Sequence, residues 1–279
     1  MINRVLRIFP ALLIAVFFGG FLAFLTIAPE SKNSDLLLPF LKYLVGNATL
    51  LDLGANSILG AFSENRIHLV NASLWTLPVE ARLYLFVGLL GWCGLLHTRA
   101  ILLVFALLCI ADYASLKNSI LLNLVGPPQS LYAAIFFFCG MFFKITKIEM
   151  NIFLFILASG ITTYSIAFGG ISPIVEIICT AYAVLYLGYR INLFRGFFNK
   201  IGDYSYGIYV YAFPIQQFVW YLANHYFGIR LTPWQLICLS GLLLWPVAIL
   251  SWHFVESYFV SLKDRVGIPK RGRPGMALS

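Results

Sequence analysis

Long apolar runs with few charges constrain this chain more than any other feature of its sequence. A helix needs roughly 20 apolar residues to cross a bilayer, and polar loops separate apolar runs of 13 to 21 residues. Only 11% of the residues are charged, whereas soluble domains carry about 25%. We therefore expect an all-α, polytopic membrane helix bundle of about eight transmembrane helices. The runs lie at Ile8–Ala28, Val79–Leu96, Ala100–Ala114, Leu131–Phe143, Ile152–Phe168, Ile174–Leu187, Tyr204–Ala223 and Leu236–Val255.

The distribution of basic residues predicts which side of the membrane each loop occupies. With the N-terminus inside, thirteen of the 19 lysine and arginine residues fall in inside segments. Positive loops favour the cytoplasm, so we expect both termini there, in a multi-pass protein of the cell membrane (the inner membrane of a Gram-negative cell). The net charge of +8 fits anionic lipid and requires no nucleic acid. Five basic residues fall outside, namely Lys32, Lys42, Arg66, Lys117 and Arg230.

The chain divides into a membrane domain and a short tail. We expect residues 1–262 to form the membrane domain, and the basic residues 263–279 to form a disordered cytoplasmic tail. The longest connection, Pro29–Leu77, has a semi-apolar middle at Leu36–Leu53 that is expected to lie along the membrane interface. The five cysteines lie in apolar runs without a C-x-x-C pair, and no phosphate-binding or metal motif is present. We therefore expect neither a metal nor a bound cofactor.

The stretch Val70–Tyr84 takes the chain from a polar loop into an apolar helix. Pro78 suits the first turn of a helix, and the positive end of the helix dipole favours a carboxylate at Glu80. A tryptophan, a glutamate and an arginine (Trp75, Glu80 and Arg82) at the outer mouth of a span indicate a polar site set into the membrane. Helix capping and interface anchoring are the alternative, and residue types alone favour it.

Two further groups place polar side chains at helix ends. Arg4 and Arg7 are three residues apart, so on a helix they share a face and can hold a phosphate-rich ligand. A positive-inside anchor explains them equally simply. The segment Gly202–Tyr211 opens the seventh predicted span with an aspartate that can cap the helix. Its hydroxyl groups, including those of Tyr204, Ser205 and Tyr209, can line a polar channel or belong to an aromatic belt.

His253 and Glu256 are three residues apart near the inner end of the last predicted span. At helical spacing they can share a face, where a carboxylate that orients an imidazole makes a general-base pair. A helix-end charge pair is the alternative. The predicted cytoplasmic position of His253 argues against direct contact with an external substrate.

Four segments in order along the chain resemble the acyltransferase-3 family of integral membrane proteins. The segment Asn71–Glu80 reads Asn-Ala-Ser-Leu-Trp-Thr-Leu-Pro-Val-Glu and resembles the family signature Asn-Gly-Ser-Leu-Trp-Thr-Leu-Pro-x-Glu. The segment Arg4–Pro10 looks like the Arg-x-x-Arg motif of the family. The segment Ile201–Gln217 is similar to its penultimate span, and Glu256 stands where the last span of the family ends in a glutamate.

The resemblance implies a membrane O-acyltransferase, which moves an acyl group, often acetyl, from a cytoplasmic acyl-CoA to a hydroxyl of a sugar or an exported polysaccharide. Acyl-CoA would be a co-substrate, and the partners would be the lipid bilayer and a glycan acceptor. Arg4 and Arg7 would belong to the acyl-donor side. The residues assigned to the acceptor side are Trp75, Glu80, Arg82, Tyr204, Ser205 and Tyr209. The candidate catalytic residues are Glu80, His253 and Glu256.

The chain also departs from the family pattern. The family usually has more spans, and the first two, which carry the histidine thought to be catalytic, have no counterpart here. We therefore expect an acyltransferase-like domain that is incomplete at its N-terminus. An inactive relative is one alternative; it would bind a glycan, a partner protein or a second copy of itself. A small-solute transporter is another, although the chain shows no internal repeat and few charges within its spans.

Overall fold

The computed structural model describes residues 2–27, 36–50, 56–95, 100–101, 103–104, 129–146, 149–190 and 202–265. Within these ranges every regular element is a helix, which confirms the all-α prediction. The predicted span Ala100–Ala114 lies almost entirely outside the described residues, and so does most of the predicted tail. At residues 263–265 the backbone of the tail continues the last helix.

The helices belong to two compact units. The first unit comprises Met1–Trp75 and Gly202–Ser279, and the second comprises Thr76–Ile201. Helices of the first unit are α1 (Ile2–Thr26), α2 (Leu37–Thr49), a 3-10 turn (Ala72–Trp75), α7 (Ser205–Phe227), α8 (Pro233–Ser251), a π-helical turn (Trp252–Glu256) and α9 (Ser257–Arg265). Helices of the second unit are α3 (Thr76–Trp92), α4 (Gln129–Thr146), α5 (Ile152–Phe168) and α6 (Pro173–Arg190).

In the described part of the chain, three helical stretches are long and apolar enough to cross a membrane, namely Leu6–Thr26, Ala72–Trp92 and Pro233–Leu262. Only 17% of the apolar window in the last stretch is buried within the protein, and large apolar side chains such as Leu242 and Phe254 are exposed. A continuous apolar surface of this kind is stable in lipid and unstable in water. The helices therefore indicate a membrane protein.

Local sequence signals account for several helix ends. Thr232 and Gln235 form a capping box at the start of α8, where Pro233 occupies the first turn, a position at which its missing N–H costs nothing. The side chain of Asn151 accepts a hydrogen bond from the N–H of Phe153 and caps α5. Gly228, with φ of 62°, ends α7 in the left-handed conformation that glycine adopts without strain.

The second unit is held together by aromatic and polar contacts between neighbouring helices. Phe155 of α5 stacks on Tyr186 of α6, with ring centroids 4.6 Å apart. The hydroxyl of Ser165 donates to Glu176 at 2.7 Å, so the carboxylate is hydrogen-bonded across the same pair of helices. These contacts fix the antiparallel pairing of α5 and α6.

In the first unit, α1 and α7 run in the same direction. Ala11, Ala15 and Gly19, four residues apart on α1, are all buried. A Cβ atom added at Gly19 would lie 3.6 Å from Pro214 of α7 and 2.9 Å from the hydroxyl of Tyr43. Small residues at this spacing allow helices to approach closely where lipid provides no hydrophobic force between them.

A non-helical segment, residues 56–71, lies against α7. Gln217 of α7 donates from its Nε2 atom to the carbonyl oxygens of Ile67, at 2.6 Å, and Leu69, at 2.8 Å. Asn65 donates in return to the carbonyl oxygen of Gln217 at 2.9 Å. The N–H and carbonyl groups of irregular backbone in a membrane protein must form hydrogen bonds with other protein groups or with water. The side-chain amide of Gln217 supplies hydrogen bonds to two carbonyl groups of this segment.

Pro214 explains how the same segment attaches to the middle of α7. Proline has no N–H, so the carbonyl of the residue four positions earlier, Val210, loses its helical donor. Asn71 takes that place, and its Nδ2 atom donates to the Val210 oxygen at 2.8 Å. The Oδ1 atom of the fully buried Asn71 accepts from the N–H of Ser73 at 3.1 Å. The helix break and the buried amide are therefore complementary.

Replacement of Asn71 tests this complementarity. Asn71→Ala leaves the Val210 carbonyl without a donor, and we expect it to lower the free energy of unfolding by about 1–3 kcal/mol. In a Pro214→Ala background the helix regains its own N–H at residue 214, so the cost of Asn71→Ala should fall by about 1 kcal/mol. Thermal unfolding in detergent of both single variants and the double variant measures this coupling.

Asn47→Ala provides the control, because Asn47 is also buried but donates to Tyr43 within its own helix. Asn47→Ala should lower the free energy of unfolding by the same amount whether residue 214 is proline or alanine. Equal costs of Asn71→Ala in the two backgrounds would contradict the proposed coupling.

Candidate active site

An arginine–aspartate pair joins the start of α1 to the start of α7. Arg7 donates from its Nη2 atom to the Oδ2 atom of Asp203, and the hydroxyl of Tyr206 donates to the Ile8 carbonyl at 3.0 Å. Asp203 follows Gly202, whose φ of 123° is a conformation that glycine adopts readily. A Cβ atom at Gly202 would also collide with the indole of Trp252. The backbone before α7 is thus shaped to present Asp203 to Arg7.

The surroundings of Asp203 keep its carboxyl group ionised. Partial burial raises the pKa of Asp203, but hydrogen bonds from Ser205 and the positive charge of Arg7 lower it, and the net shift is downward. Both the hydroxyl and the N–H of Ser205 donate to the Oδ1 atom. Each carboxylate oxygen therefore has a defined partner, and the orientation of the Arg7 guanidinium is fixed.

Glu256 is a buried carboxylate close to this pair. Its side chain is 1% exposed, and the hydroxyl of Ser251 donates to its Oε1 atom at 2.9 Å. Its Oε2 atom has no hydrogen-bond partner within the described part of the chain. The charge of Arg7 lies within electrostatic range. Burial of a carboxylate is costly unless a positive charge or donors compensate it, and within the described residues the Ser251 hydroxyl is the one hydrogen-bond donor to Glu256.

The π-helical turn Trp252–Glu256 separates the two residues interpreted from sequence as a general-base pair. His253 is exposed, and its Nε2 atom lies 3.3 Å from the hydroxyl of Tyr204. Glu256 is buried and bonds to Ser251. A wider turn changes the angular offset between residues three apart, so the expected shared face is wrong. The histidine and the carboxylate occupy different environments.

Other residues assigned to the acceptor side also lie near Arg7. Tyr204 and Ser205 flank or contact the Arg7–Asp203 pair, so the structure groups them with the residue assigned to the donor side. The hydroxyl of Tyr209 donates to the carbonyl oxygen of Ser73. The 3-10 turn that ends in Trp75 therefore lies beside the first half of α7, nearer to its Ser205 end than to its Phe227 end.

The remaining predicted site residues are placed as follows. Glu80 and Arg82 belong to α3 in the second unit, where both are half-buried and both interact with other residues. Arg4 lies in the first turns of α1, and its side chain is outside the described part of the structure. Of the two predicted donor-side arginines, the structure therefore describes the contacts of Arg7.

Sequence reasoning missed a second histidine–carboxylate pair. The Nδ1 atom of His225 lies 2.8 Å from the Oε1 atom of Glu64, and both side chains are about 40% exposed. The imidazole stacks on Tyr221, with ring centroids 4.9 Å apart. The partners are 161 residues apart in sequence, so no local spacing reveals them. At 1.5 Å per residue along α7, this pair lies roughly 30 Å from Asp203.

Comparison with known proteins gives one distant similarity. The chain is 25% identical over 201 residues to an O-acetyl transferase of Shigella phage Sf6, across 69% of this chain and 57% of the phage protein. The match thus spans little more than half the length of that relative. No family profile matches the chain, and no solved structure matches it. The similarity supports acetyl transfer as the general chemistry.

The contact of α7 with the buried Glu256 can be tested at Gly207. A Cβ atom there would lie 3.2 Å from the Cα atom of Ala248 and 3.3 Å from the Oε1 atom of Glu256. Gly207→Ala must therefore push α7 and α8 apart, and we expect it to destabilise the protein by about 1–3 kcal/mol. Thermal unfolding in detergent measures the change.

Gly241→Ala is the matched control, since Gly241 is also inside a helix but has no atom within 4 Å of its added Cβ. Alanine is the better helix former, so this variant should be neutral or more stable. Similar destabilisation by both substitutions would show that the close approach at Gly207 is unimportant.

Proposed function

We propose that this chain is a membrane O-acyltransferase of the acyltransferase-3 type, which moves an acetyl group from acyl-CoA to a hydroxyl of a sugar or an exported polysaccharide. The observation that carries the proposal is the Arg7–Asp203 pair beside the buried Glu256, a charged site at the end of an apolar helix bundle. The similarity to an O-acetyl transferase supports the same reaction type. The proposed setting is a multi-pass cell-membrane protein of about eight spans, with the Arg7 end at the cytoplasm.

Arg7 holds the phosphate groups of the donor in this proposal. A guanidinium carries five N–H donors, and the bond to Asp203 uses one nitrogen. The other donors suit a phosphate, for which arginine forms paired, charge-assisted hydrogen bonds. Its side chain is 37% exposed, so a ligand can reach it from the aqueous side.

Glu256 acts in this proposal as a positioning residue. It is too deeply buried for an acceptor hydroxyl to reach, and it packs against α7 at Gly207. Asp203 fixes the direction of the guanidinium before the donor binds. Preorganised charges of this kind bind a ligand without reorganisation at the moment of reaction.

The transfer step needs a base for the acceptor and a leaving group from the donor. The base takes the hydroxyl proton, the sugar oxygen forms a bond to the carbonyl carbon, and the carbon–sulfur bond breaks to release the thiolate of CoA. Hydrogen-bond donors stabilise the oxyanion between these events.

Substitution of Arg7 tests the donor site. Arg7→Gln removes the charge and the paired donors, and a charge-assisted contact contributes about 1.5–3 kcal/mol. We therefore expect the KM for acetyl-CoA to rise about 10- to 100-fold, with a smaller change in kcat. Transfer of labelled acetyl from acetyl-CoA by membranes containing the full chain measures both constants.

Lys144→Gln is the control, because it removes one positive charge from an exposed position on α4. Its KM should match that of the unsubstituted protein. An unchanged KM for Arg7→Gln would contradict the donor assignment. Absence of any transfer by folded protein, together with saturable solute uptake or copurification of an active acyltransferase, would favour the transporter or the inactive relative.

A further inference from the structure

A cavity of about 300 Å³ lies along α7 on the side away from Arg7. Phe213, Gln216 and Trp220 of α7 line it, together with Arg66 of the non-helical segment and Leu236 of α8. This volume is at the lower end of the range for small-ligand sites. Gln216 is thirteen residues beyond Asp203, or roughly 20 Å at 1.5 Å per residue.

Three polar side chains that line this cavity have no partner among the residues that the structure describes. Within the part of the chain that the structure describes, the Arg66 guanidinium, the Gln216 amide and the Trp220 indole make no hydrogen bond, ion pair or ring contact. The neighbouring Gln217, by contrast, donates to two carbonyl oxygens of residues 67 and 69 and accepts from Asn65. The side-chain amides of Gln217 and Asn65 therefore stabilise the backbone in this region.

The chemistry of these groups indicates what they can bind. Arginine and the indole N–H only donate hydrogen bonds, and glutamine adds two donors and one acceptor. Among the residues that the structure describes, the cavity lining contains no carboxylate, and Arg66 is its one charged side chain. A ligand rich in acceptors and carrying a negative charge therefore fits. The half-buried rings of Phe213 and Trp220 provide flat apolar surface for the face of a sugar ring.

We propose that this cavity binds an acidic saccharide unit of the acceptor glycan, with its carboxylate on Arg66, its hydroxyls on Gln216 and its ring against Trp220. This inference rests on the proposed function, because it names the acceptor class of that same reaction. The separation from Arg7 suits a donor whose phosphates and thioester are joined by a long flexible arm. One end of the first unit then holds the donor phosphates, and the cavity holds the acceptor.

Binding can be measured without any transfer. The full chain in detergent is titrated with tetragalacturonate as the acidic probe and maltotetraose as the neutral one, and tryptophan fluorescence reports the complex. We expect saturable quenching by the acidic probe and at least tenfold weaker binding of the neutral probe. Quenching should disappear in Trp220→Phe, which assigns the signal among the 6 tryptophans.

Arg66→Gln should weaken binding of the acidic probe about 10- to 100-fold. Arg230→Gln should leave the affinity for this probe unchanged. Arg230 is the matched control: it is exposed and adjoins Leu231 of the cavity lining, but is itself absent from the lining. Gln216→Ala, with unfolding temperature monitored, gives a second variant should Arg66→Gln fold poorly. Equal losses in Arg66→Gln and Arg230→Gln would indicate non-specific charge attraction and overturn the proposal.

Two further outcomes would also overturn it. Equal affinity for both probes would exclude an acidic sugar, and quenching by phosphatidylglycerol nanodiscs without any response to either saccharide would assign the cavity to a lipid headgroup. Failure of the proposed function has a different signature. In that case the acidic probe binds as expected, but acetyl is not transferred from acetyl-CoA.

Discussion

The hydrogen bond from Asn71 to the Val210 carbonyl is the constraint on which the rest of the first unit depends. Pro214 removes the helical donor of that carbonyl, and the buried amide of Asn71 replaces it. The bond fixes the position along α7 at which the irregular segment contacts the helix. Farther along α7, Gln217 donates to the Ile67 carbonyl of the segment, and Asn65 of the segment donates to the Gln217 carbonyl. Without these donors, an irregular segment against an apolar helix would carry unsatisfied carbonyl groups.

Arg7, Asp203 and Glu256 lie where the start of α1, the start of α7 and the end of α8 meet. Arg7 pairs directly with Asp203, and Glu256 is buried close to that pair. Because an unpaired charge is costly in apolar surroundings, a buried carboxylate with an unpartnered oxygen is unusual as a purely structural feature. The close approach of α7 and α8 at Gly207 keeps water away from it.

The two proposed ligand sites share one scaffold helix. Asp203 and Ser205 at the start of α7 orient Arg7, while Gln216 and Trp220 in its second half face the cavity. The rise per residue of α7 puts these two groups roughly 20 Å apart, with Pro214 between them. A donor with a long flexible arm can span that distance and bring its acyl carbon to the acceptor, as transfer between two bound substrates requires.

The amino-acid sequence determined the helical class, the membrane character and the positions of most helices, because apolar runs and caps act locally. It also indicated Arg7 and the segment before α7, whose polar residues stand out in apolar surroundings. Only the tertiary structure joined Arg7 to Asp203, Asn71 to Val210 and Glu64 to His225, because these partners are 139 to 196 residues apart. The separation of His253 from Glu256 likewise depends on a π-helical turn, which residue spacing alone does not encode.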